Sequence, residues 1–451
     1  MGLDSRPSNI GAQACARMSR DEQGHEGERS AVRVLMVTNT FTPHVGGVAH
    51  SVAGFSAALR ALGHRVLVVA PRFAGAPKHE AGVVRLPAFK RFNGGDFSVP
   101  LPMPGRLLSA LDRFRPDVVH AHHPFLLGHT ALRIAARRDL PVVFTQHTLY
   151  ERITYDVPGD SPGMRRGVVE LVVGYCNLCD AVVAPSETIK QVLRKRDVTA
   201  RIEVIPTGVD LERFGAGSRQ AGRRAHGIPQ RAFVVGHVGR LAPEKNLGFL
   251  ARAVGRLLSE RPGACFLVVG EGPDRETMSQ ALAAEGLIDR VRFTGVLHDR
   301  QLADAYHAMD VFAFASQNET QGIVLAEAMA SGVPVVALDG PGVREVVRDQ
   351  SNGRLLPAER EEAFAAALAW VAELPAAERL RLRRAARATA QHFSMRRNAA
   401  RLAALYESLR SMHATLPRPG ASHRSKAWRR LAEEWKIWKN VAHAASELAR
   451  P

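Results

Sequence analysis

The sequence predicts an α/β protein of two domains, each a parallel sheet wrapped by helices, and three observations carry that reading. Short apolar runs alternate with helix-length segments from residue 31 to about residue 205, a polar stretch rich in Gly, Arg and Gln interrupts them, and the alternation restarts at Phe233. Parallel strands need long crossovers, which are usually helical, so this rhythm marks a parallel sheet covered by helices. The length of 451 residues agrees, being more than one hydrophobic core usually organises.

The first domain is read over residues 31–215. Val32–Val37 reads as a buried strand, Ser51–Leu62 as a helix ending at Gly63, and Val66–Ala70 as the next strand. Apolar runs at Val118–His120, Val142–Thr145, Ala181–Ala184 and Val204–Ile205 continue the sheet. Gly215–Gly227 reads as a loop joining the domains. The second domain, residues 216–392, places strands at Phe233–Val238, Phe266–Val269, Val291–Thr294, Val311–Ala315 and Val335–Ala337, with helices from about Glu361 to His392 completing it. Residues 393–412 read as a closing helix that packs back towards the first domain, residues 413–451 as a basic, Trp-rich amphipathic tail, and the polar residues 1–30 as a disordered N-terminal segment.

Composition narrows the class. Apolar residues at 46% and charged residues at 23% are near the averages for soluble folded proteins. No run of eighteen consecutive apolar residues occurs, and the first thirty contain no signal-peptide core, so a membrane span is not expected. Four cysteines (Cys15, Cys176, Cys179 and Cys265) are too few for a disulfide framework and fit a reducing cytoplasm. A formal charge of +17 calls for an anionic partner: nucleic acid, anionic lipid or phosphate. Residues 31–205 alone carry 22 Lys and Arg against 13 Asp and Glu, which favours anionic headgroups beside the first domain.

Several motifs fall at strand ends, where open parallel sheets bind ligands. The first strand leads through Pro43-His44-Val45-Gly46-Gly47-Val48 into a helix, and two glycines there let backbone N–H groups approach an anion, although plain turn geometry also uses Gly-Gly. In the second domain Gly239-Arg240-Leu241-Ala242-Pro243-Glu244-Lys245-Asn246 flanks a loop with two cations; Arg offers fork geometry and Lys a point charge, a pair suited to a diphosphate. Downstream, Asn318-Glu319-Thr320-Gln321-Gly322-Ile323-Val324-Leu325-Ala326-Glu327-Ala328 puts one carboxylate in a loop and a second on the following helix. Rival classes lack their signatures: no G-x-G-x-x-G follows the first strand and no G-x4-G-K-[ST] occurs, which disfavours a dinucleotide-dependent oxidoreductase and a P-loop nucleotidase.

These residues, with Ala330-Ser331-Gly332-Val333-Pro334-Val335, resemble the retaining glycosyltransferases of family 4 over roughly residues 31–412. The resemblance implies the GT-B fold, two Rossmann-like domains facing each other across a cleft, and a hexosyltransferase activity. It further implies that Arg240 and Lys245 neutralise the donor diphosphate, that Glu327 accepts from ribose hydroxyls, and that Glu319 with the Gly322, Ile323 and Val324 backbone holds the donor hexose. Gly46 and Gly47 join this donor-binding set, and Glu319 is grouped with His147 as catalytic. The chemistry is consistent, because transfer leaves a nucleoside diphosphate whose developing charge needs preorganised cations and amides.

The histidines of Asp117-Val118-Val119-His120-Ala121-His122-His123-Pro124 and Phe144-Thr145-Gln146-His147-Thr148-Leu149-Tyr150-Glu151 cluster at neighbouring strand ends. His120 and His122 share one side of an extended strand, yet a catalytic zinc wants a third protein ligand and none is evident, so no metal is assigned. The resemblance makes His147 the active-site histidine, with His122, His123 and Tyr150 lining the cleft or the acceptor site. No D-x-D occurs to hold a metal on the diphosphate; the only small-molecule requirement expected is the nucleotide sugar itself, with no cofactor. Cys176-Asn177-Leu178-Cys179 is read as core packing.

The His-Thr-x-Tyr-Glu and Glu-Thr-Gln-Gly strings are similar to those of a family subgroup that glycosylates membrane lipids, which implies a lipid acceptor such as diacylglycerol. Soluble or polysaccharide acceptors remain alternatives, and a noncatalytic nucleotide or nucleic-acid binding module is the reading from another class, although no recognised nucleic-acid module is present. In the tail, Trp428, Leu431, Trp435, Trp438, Ala442 and Ala445 recur at three or four residues beside Arg424, Lys426, Arg429, Arg430, Lys436 and Lys439. Such a helix either lies on anionic lipid or docks on its own domain. The expected location is cytoplasmic, peripheral on the inner face of the cytoplasmic membrane.

Overall fold

A computed structural model describes residues 31–44, 46–77, 79–89, 99–100, 104–152, 161–317, 319–415 and 423–448. The N-terminal segment read as disordered, residues 1–30, lies outside them.

The first sheet has seven parallel strands: β1 (Arg33–Val37), β2 (Arg65–Pro71), β3 (Val83–Leu86), β6 (Val118–Ala121), β7 (Val142–Thr145), β8 (Ala181–Ala184) and β9 (Arg201–Val204), ordered β3-β2-β1-β6-β7-β8-β9. A small antiparallel pair, β4 (Ala88–Phe89) and β5 (Val99–Pro100), stands apart from it. The second sheet comprises β10 (Phe233–Val238), β11 (Ala264–Val269), β12 (Val291–Phe293), β13 (Val311–Phe314), β14 (Val335–Leu338) and β15 (Gly353–Leu356), ordered β12-β11-β10-β13-β14-β15. Central strands such as β6, β7, β10 and β11 are buried along their whole length, because helices cover both faces; this is why they read as mostly apolar runs rather than alternating ones.

In each domain the strand order reverses beside the first strand: β1 sits between β2 and β6, and β10 between β11 and β13. A crevice opens at the carboxyl ends of strands at such a switch point. The helices that matter to it are α1 (Gly47–Ala61), α2 (Leu127–Arg138), α3 (Pro162–Asn177), α4 (Glu187–Lys195), α5 (Asp299–Ala308), α6 (Ile323–Ala330), α7 (Met395–Thr415) and α8 (His423–Leu448). Helix α7 returns to the first domain, burying Leu402, Tyr406 and Leu409 against Val52, Phe55 and Leu59 of α1.

Three local expectations need correction. Helix α1 begins at Gly47, four residues before the expected start at Ser51, so the Gly46-Gly47 turn opens the helix itself. The stretch Gly215–Gly227 is not a plain loop: Arg219–Ala225 is helical, Ser218 caps it by accepting from the Ala221 N–H, and the fully buried Arg223 bonds to Asp310 and to the Ala308, Pro229, Gln230 and Ala232 carbonyls. The edge strands β3 and β15 were not expected; their central residues are only partly buried, so neither produces a continuous apolar run.

Candidate active site

At the second switch point the loop after β10 and the loop after β13 are tied together. Lys245, in the short turn Pro243–Lys245, donates from Nζ to Glu319 Oε1, and Ser316 Oγ donates to the Glu244 carbonyl at 3.1 Å. Arg240 Nη2 meets Glu244 Oε1 at 2.6 Å. Burial alone would push the Glu244 carboxyl up, but its backbone hydrogen bond and the Arg240 guanidinium outweigh that and hold it below the usual carboxylate range. Both cations of the expected diphosphate pair therefore rest on carboxylates.

Helix α6 is entered through Gly322, whose φ of 68° is left-handed and whose added Cβ would come within 2.9 Å of the Leu325 side chain. Only glycine fits that start without strain. No side chain caps α6, so its first N–H groups, those of Ile323 and Val324, have no partner within the helix. One turn on, Glu327 is buried and accepts from the Tyr306 hydroxyl at 2.8 Å. Burial raises its carboxyl above the usual range despite His50, Tyr306 and Arg213, which pull the other way.

The first domain contributes the ends of β1, β6 and β7. His122 Nδ1 and His147 Nε2 share a hydrogen bond at 3.0 Å, while His120 bonds to the Tyr406 hydroxyl at 2.6 Å and to the Thr145 hydroxyl at 2.7 Å. His123 turns away, accepting at Nδ1 from the Asn39 N–H at 3.1 Å. Burial pushes His120, His123 and His147 down to about 3, and burial together with His120 and His147 takes His122 well below its ordinary value. All four are neutral near pH 7, acting as hydrogen-bonding groups rather than cations. Tyr150 packs edge-on against Phe125, and burial raises its phenol. Among the described residues no group of three or more His, Cys, Asp or Glu is arranged to hold a metal ion. Cys176 and Cys179 are buried, and burial pushes the Cys176 thiol up to about 12, the opposite of a reactive thiolate.

The two domains meet along the Glu319–Gly322 loop. Thr320 Oγ1 donates to the His147 carbonyl at 2.8 Å, and Ser186 Oγ donates to the Thr320 carbonyl at 2.8 Å. Gln321 Nε2 donates to the Thr207 carbonyl and Gln321 Oε1 accepts from the Thr207 N–H, both at 2.7 Å. His50 on α1 brings its Nε2 to 3.9 Å from Glu327 Oε1, and Glu345 accepts from the Glu187 and Thr188 N–H groups at the start of α4. Gly47, at the start of α1, has open space where a Cβ would stand.

The fold thus brings His122 to His147, Lys245 to Glu319, and the Gly46-Gly47 helix to Glu327. His123 and Tyr150 do not join these contacts. Sequence reasoning missed His50, Ser186, Thr207, Tyr306 and Tyr406 as participants. Their partners lie 21 to 286 positions away, so no local spacing could reveal them. Thr320 and Gln321 lie within the quoted motif but had been given no task.

The family model described as Glycosyltransferase Family 4 matches residues 45–213, and that described as Glycosyl transferases group 1 matches residues 218–389. The chain is 34% identical over 338 residues to the GDP-mannose-dependent alpha-mannosyltransferase of Mycobacterium tuberculosis, covering 72% of this chain and 84% of the relative. It is 29% identical over 350 residues to the alpha-monoglucosyldiacylglycerol synthase of Streptococcus pneumoniae, covering 76% and 79%. Among solved structures it is similar to Anabaena HepE in complex with UDP and glucose, with a TM-score of 0.66 at 21% identity over 84% of this chain and 100% of that one. A likeness at this identity speaks for the fold, which is that of GT-B enzymes.

Proposed function

The chain belongs to glycosyltransferase family 4 and is a hexosyltransferase that uses a nucleotide sugar, and from that premise we propose that it transfers the hexose to a hydroxyl of a membrane lipid such as diacylglycerol, with retention of anomeric configuration. The observation that carries the site is the cross-domain contact between the Glu319–Gly322 loop and His147. It sets the donor-side loop against the first domain's histidines, where an acceptor would enter. The lipid acceptor draws support from the relative named alpha-monoglucosyldiacylglycerol synthase and from the His147-Thr148-Leu149-Tyr150-Glu151 and Glu319-Thr320-Gln321-Gly322 strings.

In this reading the donor diphosphate draws Arg240 and Lys245 away from Glu244 and Glu319, and the unpaired N–H groups at the start of α6 face the sugar and phosphate. Glu327, held by Tyr306, receives the ribose hydroxyls. As the glycosidic bond to the diphosphate breaks, negative charge grows on the leaving oxygen, and fixed cations and amide dipoles stabilise it more than they stabilise the ground state. Neutral His147, oriented by His122, hydrogen-bonds the reacting groups without adding charge.

The test is a screen of UDP-glucose, GDP-mannose and other donors against vesicle-embedded diacylglycerol and soluble acceptors, with the anomeric configuration of the product read by NMR. A product formed only on soluble acceptors, or with inverted configuration, overturns the corresponding part. Because two cations serve the diphosphate, transfer is expected to persist in chelator; loss of activity in EDTA, restored by a divalent ion, would contradict this.

Two single substitutions should separate binding from reaction. Glu327→Gln, which keeps an acceptor for Tyr306, is expected to weaken donor affinity about tenfold, whereas His147→Ala should lower kcat about 10- to 100-fold with a smaller change in KM. Steady-state kinetics decide it, and a His147→Ala enzyme turning over at the wild-type rate would remove that residue from the reaction.

A further inference from the structure

Among the described residues the most exposed large apolar side chains are Trp435 and Trp438, at 72% and 63%. Both belong to α8, and the helix is not loose. Ile437, 2% exposed, enters the first-domain core that includes Val172 and Val173, and Ala444 is buried one heptad on. Asn440 donates to the Leu171 carbonyl at 3.1 Å over Gly174, where any Cβ would collide with the Asn440 side chain. Arg133 on α2 holds Glu434 through two bonds of 2.7 and 3.0 Å.

At 100° per residue, Ile437 and Ala444 define the docked side and Trp435 lies nearly opposite them. Trp435, Trp438, Ala442 and Ala445, four members of the stripe expected from sequence, are all exposed. The side chains of the other two, Trp428 and Leu431, lie outside the described residues. The helix therefore does dock on its own domain, but through a different face, and the tryptophan stripe is left over.

We propose that this outer face of α8 is a rigid docking surface for an anionic bilayer, which seats the acceptor domain on the membrane. This rests on the reading of a membrane-lipid acceptor. Charge favours the choice of occupant: α8 carries six Arg and Lys against three Glu, with Lys436 and Lys439 exposed beside the two tryptophans. Indole rings bury apolar area at the headgroup level while keeping their N–H hydrated, and neighbouring cations meet lipid phosphates. The position is suitable as well. Helix α8 rests on α3, α3 packs against the turn Tyr150–Arg152, and Arg152 reaches the Gln317 carbonyl across the cleft at 3.4 Å. A surface hollow lined by Glu151, Arg165, Arg166, Val169 and Glu170 lies along that path.

Deleting α8 would uncover α2 and α3, so the test uses the full chain with W435S/W438S, two exposed positions whose replacement leaves the docked face intact. Flotation with phosphatidylglycerol-containing vesicles should show binding by the wild type and about tenfold or greater weakening in the double variant. Melting temperature and nucleotide binding should stay unchanged. High salt should weaken wild-type binding only in part, because the indoles persist after the headgroup attraction is screened. Equal flotation of the two proteins, or no flotation of the wild type, overturns the proposal. So does a wild-type dimer that the variant converts to monomer, which would make a second copy the occupant. Transfer to diacylglycerol dispersed in detergent, which needs no bilayer docking, reports separately on the lipid acceptor.

Discussion

Replacing Arg240 and Lys245 together by alanine is expected to lower kcat/KM by roughly two to four orders of magnitude, since each charge-assisted contact to a phosphate contributes about 1.5–3 kcal/mol and both act on one diphosphate. The fold should be little affected. The Arg240 side chain is 60% exposed, and its ion pair with Glu244 is of the surface kind that contributes little to stability. Lys245→Ala alone also strips Glu319 of its cation, leaving a mostly buried carboxylate beside the site where a diphosphate would bind. That repulsion should make the Lys245 variant the more damaged of the two singles. Donor affinity by calorimetry and turnover by product formation check this against an unchanged melting curve. A soluble double variant with wild-type donor affinity and turnover would remove the diphosphate from this pair of side chains.

The parallel sheets were legible because helices cover both faces of the central strands, so β7, β8 and β10 appear as predominantly apolar runs at their true positions. Edge strand β15 was not, because Arg354 and Leu355 are only partly covered and the sequence Gly-Arg-Leu-Leu carries no period. The donor side of the site was legible for a similar local reason: a strand end, a glycine and a helix start must be consecutive in sequence to present backbone N–H groups, so Gly322 and Glu327 declare themselves. The contacts between domains could not be read. Thr207 and Gln321 clasp each other across 114 positions, and nothing in either neighbourhood encodes the other. The tail shows a subtler failure. Trp438 and Ile437 are adjacent, and periodicity alone cannot tell which of two apolar stripes a helix buries; in the fold Ile437 enters the core, and Asn440 on the same side packs over Gly174.

Below pH 6 the protein is expected to lose stability steeply, and its buried histidines are the reason. His120, His122, His123 and His237 are 1–7% exposed. Burial, the leading cause in each, lowers His120 and His123 to about 3, His237 to about 4 and His122 well below its ordinary value. In the unfolded chain each protonates near pH 6.5. Between those values the unfolded state binds more protons than the folded one, so stability is present above about pH 6.5 and is lost as pH falls. Four protons taken up on unfolding correspond to a slope of about 5 kcal/mol per pH unit, comparable with the 5–15 kcal/mol that usually separates folded from unfolded chains. Glu327, raised by burial, acts in the opposite sense, but it is a single group and its window begins only near the ordinary carboxylate range. Melting temperature should therefore fall sharply between pH 6.5 and 5, and calorimetry in buffers of different ionisation enthalpy should detect net proton uptake on unfolding. A melting temperature that is flat from pH 7.5 to 5 would mean the histidines are hydrated or paired otherwise than the fold places them. The same argument constrains catalysis: His147 is already neutral well above pH 3, so the acid limb of the rate should follow loss of the fold rather than titration of the active-site histidine.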